Sequence, residues 1–586
     1  MSKINPRPLP RASVSFSGGA KGSAMVKAFG AFILVSGFFI LLLTLISRKH
    51  AGPNVLFSKH PPLGAGGSVF HLNIATGYLE SIDPAYAKDL NMMWVDHMIY
   101  NTLVETDEHL HTIPSLAKTW EVSANGLAYT FHLRNDAFFQ DNPLFENGSG
   151  RRMTAHDVAY SFNRIIELNT ASTGAWIFNG KVAEANPFEV IDDTTFRVNL
   201  RTPFRPLPEI LSMAYCNIVP HEVVEYWGKD FRSHPCGTGP FTFSYWDEGN
   251  TLCLLRNPHY WEHDTSCKPL PYLDAVQVSF NESRASEFQL FLQGKLDFVN
   301  NIDGSFKDLL LSKDGTLKKE FRDKFHLDIS TYLNTEYIGF LTDTTNPAMK
   351  GEPTRDPLVR RAINYAIDRQ KIVTYFKNGM EIPASQGFIP AGMPGYDSAA
   401  HYGYNYDPAK ARELLTQSGY PNGKGLKPIK VLVANNFEDV VNFIGSELQQ
   451  VGITLNIEII QPNVLKQQMS LSKAIVFRGD WLADYPDAET YLVFFNSHFP
   501  APPNYTRFSN ATFDRWYDES LNMPDTPRWQ QYRKMDSLAM SYAPIVPLFY
   551  EKLLHFTQNN ISGFRSSPMN IIDLKRVKKN DSMEKK

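Results

Sequence analysis

Apolar and polar residues alternate through Ala128–Arg134 (AYTFHLR) and again through Val276–Phe280 (VQVSF), the two-residue period of half-buried strands. A helix-like stretch, Ser286–Gln293, follows the second strand and is stopped by Gly294. At Asp356-Pro357 a capping carboxylate and a first-turn proline open a helix. Its Leu358, Val359, Ala362, Ile363, Ala366 and Ile367 fall on one face. Val440, Val441, Ile444, Leu448 and Val451 mark another amphipathic helix, ended by Gly452 and followed by the alternating strand Ile453–Ile459. The pattern predicts an α/β body made of several strand–helix–strand units. A body of about 515 residues is too large for one core, so at least two lobes are expected. No flexible linker interrupts it after Ser68, which implies chain crossings between lobes and a hinge.

One apolar stretch fits neither period. Ala28–Ser47 is a 20-residue run without a charge, and it spans about 30 Å as a helix, the thickness of a bilayer's hydrocarbon core. Lys3, Arg7, Arg11, Lys21 and Lys27 precede it, and Arg48 and Lys49 follow. The positive-inside bias places the N-terminus in the cytoplasm and the body outside. The run exceeds the about 7–15 apolar residues of a cleaved signal, so an uncleaved signal-anchor is expected. A Pro/Gly-rich spacer, 48–68, then holds the body off the membrane. The whole chain has a net charge of −3, but its first carboxylate is Glu80. A basic leader therefore precedes a mildly acidic body, and no basic excess points to nucleic acid.

Four cysteines, Cys216, Cys236, Cys253 and Cys267, cluster in an exported body and suggest disulfides. Three pairings are possible; proximity along the chain favours Cys216–Cys236 with Cys253–Cys267. No P-loop, Gly-x-Ser-x-Gly elbow or dinucleotide glycine pattern occurs. His259-Tyr260-Trp261-Glu262-His263 matches the zinc-peptidase string H-x-x-E-H, but Asn257-Pro258 and Asp264-Thr265-Ser266 leave room for barely one helical turn. It reads as a structural turn, and His109 with His111 as an exposed loop pair. No enzyme is expected, and no cofactor.

Arg478–Phe495 (RGDWLADYPDAETYLVFF) combines aromatic and acidic residues as a recognition loop does: rings bury apolar surface, and an aspartate pairs with a cation. Trp481-Leu482-Ala483-Asp484-Tyr485-Pro486-Asp487 resembles the W-x-A-D-Y-P-D segment of the extracytoplasmic solute-binding proteins of family 5, the oligopeptide and dipeptide receptors of ABC importers. Further segments resemble the family in its order. They are Leu116–Trp120 with Tyr129–Arg134, Arg152–Val158 with Ser161 and Arg164, Gly237–Phe241, Arg256–Trp261, Asp356–Asp368, Tyr406–Ala411 and Ala543–Tyr550.

The resemblance implies a two-lobed, class II periplasmic-binding-protein-like fold with an extra inserted domain; the N-terminal transmembrane helix expected from the apolar run stands where the family usually has a lipoprotein cysteine or a cleavable signal. Segments 69–90, 190–330 and 546–580 would form lobe I, 91–189 the inserted domain and 331–545 lobe II, after a leader at 1–27 and the anchor at 28–47. It also implies a substrate-binding subunit that captures oligopeptides or dipeptides and delivers them to inner-membrane permease subunits with their ATPases. Such a subunit would be monomeric, and the apolar run would tether it by a single span with its body in the periplasm or on the extracytoplasmic face. Asp484 would hold a peptide's α-ammonium, Trp481 would wall a side-chain pocket, and the backbone of Gly479, Asp480 and Trp481 would bond the peptide main chain. Tyr485 belongs to the same loop. Arg478 would face an acidic side chain or a carboxyl end, and Tyr78 and Leu79 would edge the cleft of the first lobe. Other branches of the family bind nickel chelates, haem or oligosaccharides, and a zinc peptidase or a permease-independent peptide sensor or chaperone are more distant alternatives.

Overall fold

The computed structural model describes residues 67–580 except 303, 313, 314 and 401. The leader 1–27, the expected span 28–47 and the spacer up to residue 66 lie outside the described residues. Among the described residues no helix is long and apolar enough to cross a membrane.

The strand and helix predictions hold with small shifts. Ala128–Leu133 and Ala275–Phe280 are strands. The helix placed at 286–293 starts earlier, at Arg284, because the Ser283 side chain caps it by accepting from the Ser286 amide. Asp356 caps Pro357–Ala366 by accepting from the Leu358 amide. The strand after Gly452 runs Leu455–Ile460.

Three sheets organise the chain. The first is four-stranded, in the order Val69–Ile74, Ala275–Phe280, Thr251–Arg256 and Phe241–Asp247, with its first pair parallel and the rest antiparallel. The second is antiparallel, in the order Ala117–Val122, Ala128–Leu133, Thr195–Asn199 and Phe188–Asp192. These two share one apolar core, where Phe70, Leu72, Val276 and Val278 of the first join Phe131, Phe196 and Val198 of the second.

The third sheet is seven-stranded and mixed. Its order is Phe298–Asn300, Ile545–Gln558, Phe325–Phe340, Val476–Leu482, Ile429–Ala434 and Leu455–Ile460, with Ile382–Pro383 on the second of these. Its central strands are apolar on both faces, as burial on both sides demands. Tyr337, Leu432 and Phe477 point into one core, and their neighbours Ile338, Val431, Val433 and Val476 into another. The second core is closed by the two amphipathic helices read from the sequence, through Val359, Ala362, Ile363 and Ala366 and through Val440, Val441, Ile444 and Leu448 of Glu438–Gln449.

After strand Ile561–Ser562 the chain returns as an extended strap, residues 563–576, that contacts both groups of cores. The Leu333 amide donates to Pro568 O (3.3 Å) on one side, and the Trp94 indole donates to Asn570 O (2.6 Å) on the other. Lys575 is buried between carboxylates, 2.8 Å from Glu105 Oε2 and 3.1 Å from Glu262 Oε2. Burial alone would raise the Glu105 pKa, but the Lys575 ammonium outweighs it and holds the carboxyl down at about 2.

The expected disulfides are not formed: all four cysteines are free thiols. Neighbours in sequence point to different partners in space, Cys216 Sγ to Ile210 O (3.8 Å) and Cys236 Sγ to Gln140 O (3.6 Å). Cys253 lies mid-sheet opposite Gln277 and Tyr245, its thiol pushed up to about 11 by burial. Cys267 is exposed, in the turn where its amide donates to Asp264 O.

In the native protein an alkylating reagent should therefore label Cys267 alone, with the other three reacting only after unfolding; mass spectrometry of the digest reads this directly. Lys575→Met strands Glu105 without its buried cation and should lower the unfolding free energy by about 3–5 kcal/mol at pH 7, measured by urea titration. Glu105 ionises more easily in the folded state, so its contribution is present above the unfolded-state pKa and is lost as pH falls towards 2. The variant's deficit should narrow over that interval.

Candidate ligand-binding site

Strand Val476–Leu482 pairs antiparallel with Phe325–Phe340, setting Glu336 against Asp480, Thr335 against Trp481 and Asn334 against Leu482. Gly479 lies opposite Tyr337, and a Cβ there would come within 2.5 Å of the tyrosine Cζ and hydroxyl, so only glycine seats that ring. Beyond the strand the chain turns sharply and is fastened at each step. The Ala483 amide donates to Leu333 O (2.8 Å), the Trp481 indole donates to Thr490 O (2.7 Å), and the Tyr491 hydroxyl donates to Leu333 O (2.6 Å) and Trp481 O (3.1 Å). The Trp481 ring also meets Phe494 edge to face, with centroids 5.1 Å apart.

This fastening delivers Leu482–Pro486 to the wall of a cavity of about 460 Å³. Asp484 opens into it. Its Oδ2 accepts from the Thr490 hydroxyl (3.3 Å), whose oxygen in turn accepts from the Asp484 amide (3.4 Å). Among the described residues no cation contacts this carboxylate. Desolvation pushes its pKa up to about 6, offset in part by the Thr490 hydrogen bond and by Lys181. Tyr485 is buried, borders the same cavity and donates to Glu489.

The other site residues proposed from sequence lie elsewhere. Trp481 stands behind the loop as its anchor. Arg478 grips Glu336 through two bonds (Nε–Oε2 3.0 Å, Nη2–Oε1 2.6 Å) and Asp480 through a third (2.9 Å). Its guanidinium is thus spent within the protein. Tyr78 is exposed, and Leu79 is in the core beneath the first sheet. None of these borders the cavity.

The opposite walls were not read from the sequence. Leu90 and Met93 come from helix Leu90–Ile99, Trp176 from the single turn Ala175–Ile177, and Met213 and Tyr215 from the segment after Leu207–Leu211. The strap supplies another wall. Gly563, Arg565, Ser567, Met569, Ile571 and Asp573 face the cavity, followed by Lys575 and Arg576, while the intervening Ser566, Asn570, Ile572 and Leu574 are buried. From Gly563 to Asp573 this is a strand's period of two without a sheet around it, a signal that could have disclosed the wall.

The family profile of the bacterial extracellular solute-binding proteins, family 5 Middle, matches residues 111–502. The chain belongs to this family. Among curated relatives, the glutathione-binding protein GsiB of Salmonella choleraesuis (strain SC-B67) is 27% identical over 500 residues, covering 83% of this chain and 90% of that protein. GsiB of Escherichia coli O1:K1 / APEC is 28% identical over 503 residues, with the same coverage. Among solved structures, HbpA2 from Haemophilus parasuis superposes with a TM-score of 0.74 at 21% identity, covering 87% of this chain and all of that one. The periplasmic binding protein DppA from Helicobacter pylori, in complex with the peptide STSA, gives 0.68 at 23% identity, with 87% and 98% coverage. The α/β fold is that of the periplasmic binding proteins.

Family 5 comprises binding proteins, and the histidine string overlaps the family-like segment Arg256–Trp261 as a structural turn. His259–His263 is not helical, Glu262 is engaged by Lys575 and Arg576, and both histidines are exposed. His109 and His111 form an exposed loop pair whose amides both donate to Asp107.

The folded state holds the Asp484 proton more tightly than the unfolded chain does, so ionising it between pH 4 and 6 costs folding stability. Asp484→Asn should therefore raise the Tm of the ligand-free protein at pH 7 and leave it nearly unchanged at pH 4; calorimetry at the two pH values checks the sign.

Proposed function

We propose that this family 5 protein is the substrate-binding component of an ABC-type importer and captures short peptides by their free amino end. The observation that carries the reading is Asp484: an acid kept without a contacting cation, at the wall of a cavity large enough for a small peptide. A peptide ammonium is the missing partner, and a charge-assisted hydrogen bond there contributes about 1.5–3 kcal/mol. Beyond the single Leu432–Phe477 pairing, strand Val476–Leu482 has no partner on its second edge among the described residues. That edge, where the Trp481 carbonyl is already taken by Tyr491, offers its remaining backbone groups to an extended ligand main chain. The names of the relatives support the class, since GsiB is a glutathione-binding protein and DppA was solved with a peptide.

The rest of the reading extends this. The body divides into lobes near 69–90, 190–330 and 546–580, 91–189 and 331–545. The sequence-drawn limits move so that Phe188–Asp192 and Thr195–Asn199 stay with the inserted sheet and Phe325–Phe340 and Ile545–Gln558 stay with the seven-stranded sheet. The lobes close over the ligand and present a new surface to the permease. Segment 28–47 tethers the body as a single span on the extracytoplasmic face, and the protein works as a monomer.

Titration calorimetry of the purified protein in detergent tests the central claim. A free-amino tripeptide should bind, its N-acetylated form should not, and Asp484→Ala should weaken binding by about 10- to 100-fold. Because Asp484 must be ionised to hold the ammonium, wild-type affinity should rise as pH goes from 5 to 7. Equal binding of the acetylated and free forms would refute the role given to Asp484.

A further inference from the structure

The buried polar side chains along the cavity are bonded within the protein, with one exception. Thr102 donates to Val104 O (2.6 Å), and Glu105 accepts from Asn101, Ser115 and Lys575. The Tyr215 oxygen accepts from the Thr173 hydroxyl (3.3 Å), and Tyr485 donates to Glu489. Asn217 is buried as deeply, at 4% exposure, and lines the same cavity, yet its carboxamide makes no hydrogen bond among the described residues. Orphan groups such as the Tyr337 hydroxyl and the Asn334 carbonyl are sealed within the fold. The Asn217 carboxamide instead keeps contact with open space, and the space beside it is the cavity.

The backbone that carries Asn217 is fixed on both sides. Its own amide donates to Ala214 O (3.2 Å), closing the turn Ala214–Cys216. The next amide, that of Ile218, donates to Asn101 O (3.1 Å), just beyond helix Leu90–Ile99. A carboxamide offers a donor and an acceptor side by side in one plane. Burying it without partners costs the folded state free energy, and a ligand that supplies both an N–H and a C=O recovers it. An extended main chain carries that pair. Each residue presents its N–H and C=O to one edge, and successive residues present theirs to opposite edges. Strand Val476–Leu482 can serve only one edge of a peptide lying along it. The ligand amides on the other edge turn towards the wall formed by residues 88–217, where Asn217 is the buried side chain not already engaged.

We propose that Asn217 is a specificity residue that clamps the main chain of the bound peptide, its Oδ1 accepting from one ligand N–H and its Nδ2 donating to the C=O of the same residue. The clamp reads backbone rather than side chain, so it favours peptides of any sequence over ligands without a secondary amide. The inference rests on the peptide reading above and adds the group that holds the ligand's second edge.

The test is calorimetry on the full chain in detergent with Ala-Ala-Ala, Ala-Gln-Ala and the two depsipeptides in which one amide N–H of Ala-Ala-Ala is replaced by an ester oxygen. Asn217→Ala and Asn217→Ser remove no hydrogen bond within the protein and should fold as the wild type does. Both should bind Ala-Ala-Ala and Ala-Gln-Ala more weakly than the wild type by the same factor, about tenfold. One depsipeptide should bind the wild type about tenfold more weakly than its parent. In Asn217→Ala that difference should vanish, a coupling that a merely structural role would not produce. Variants that bind Ala-Ala-Ala as tightly as the wild type overturn the clamp, as does a depsipeptide penalty that is absent or that survives in them. A loss confined to Ala-Gln-Ala also overturns it, by showing that Asn217 reads a side chain. If none of the four ligands binds the wild type, the peptide reading fails and the clamp falls with it. If the tripeptides bind and Asn217 makes no difference, the clamp alone fails.

Discussion

Keeping one carboxylate partly desolvated and without a contacting cation is the constraint on which this site depends. Left alone, a chain removes such a charge by turning it to bulk water or by closing a salt bridge. Asp484 is exposed at the cavity wall yet closes no salt bridge among the described residues, because its loop is immobilised from behind. The Trp481 indole, the Tyr491 hydroxyl and the Thr490 side chain fix the turn before and after it. Asp487, three residues on, is buried against Arg528 at 3.0 Å. Nearby acids show the opposite treatment. Glu489 receives the hydroxyls of Tyr485 and Tyr517, and Glu336 receives two bonds from Arg478. Glu336, Asp487 and Glu489 are satisfied within the protein, whereas Asp484 faces the cavity with no cation against it among the described residues.

The cavity belongs to no single element. One wall is the short turn after Leu482, and the facing wall combines residues 88–217 with the strap, so distant parts of the chain must be held in register. The strap does this with paired charges of unequal burial. Lys575 is deeply buried and shared among acids, which makes it a fixed rivet. Arg565, whose side chain is 67% exposed, meets Glu108 at the surface, where an ion pair contributes only about 0–1 kcal/mol. The strap is thus firm at its inner end and loosely held at its outer end, an asymmetry suited to a wall that adjusts to different ligands.

Much of this was legible in the sequence. Period-two strands and amphipathic helices were visible because each buries one face, and the Trp481–Asp487 loop was visible because aromatic and acidic residues rarely crowd together without a use. What failed was pairing at a distance. Nothing in the chain shows that Arg478 faces Glu336, 142 residues away and opposite Asp480 in the strand register. Cys216 and Cys236 are neighbours in sequence, yet their thiols address different carbonyls. The strap escaped because its cavity-facing residues, among them Arg565, Ser567, Asp573 and Lys575, have the composition of a solvent-facing edge. A wet binding wall and an ordinary surface look alike until the opposite wall is known.

Lys181 shows how the charge of such a site is set without filling it. Its ammonium donates to Trp176 O at 3.0 Å and lies 5.6 Å from the ring centre of that tryptophan, which borders the cavity. Burial lowers its pKa, and Glu489 and Asp484, within electrostatic reach but not in contact, partly restore it. A cation at contact distance would close a salt bridge with Asp484, and an incoming ammonium would then have to break it. A cation farther off moderates the field and keeps the carboxylate ionised near neutral pH without occupying its hydrogen-bonding directions. Coulomb attraction falls with distance less steeply than a hydrogen bond does. A resident charge held short of contact can therefore tune the carboxylate while leaving its hydrogen-bonding directions open.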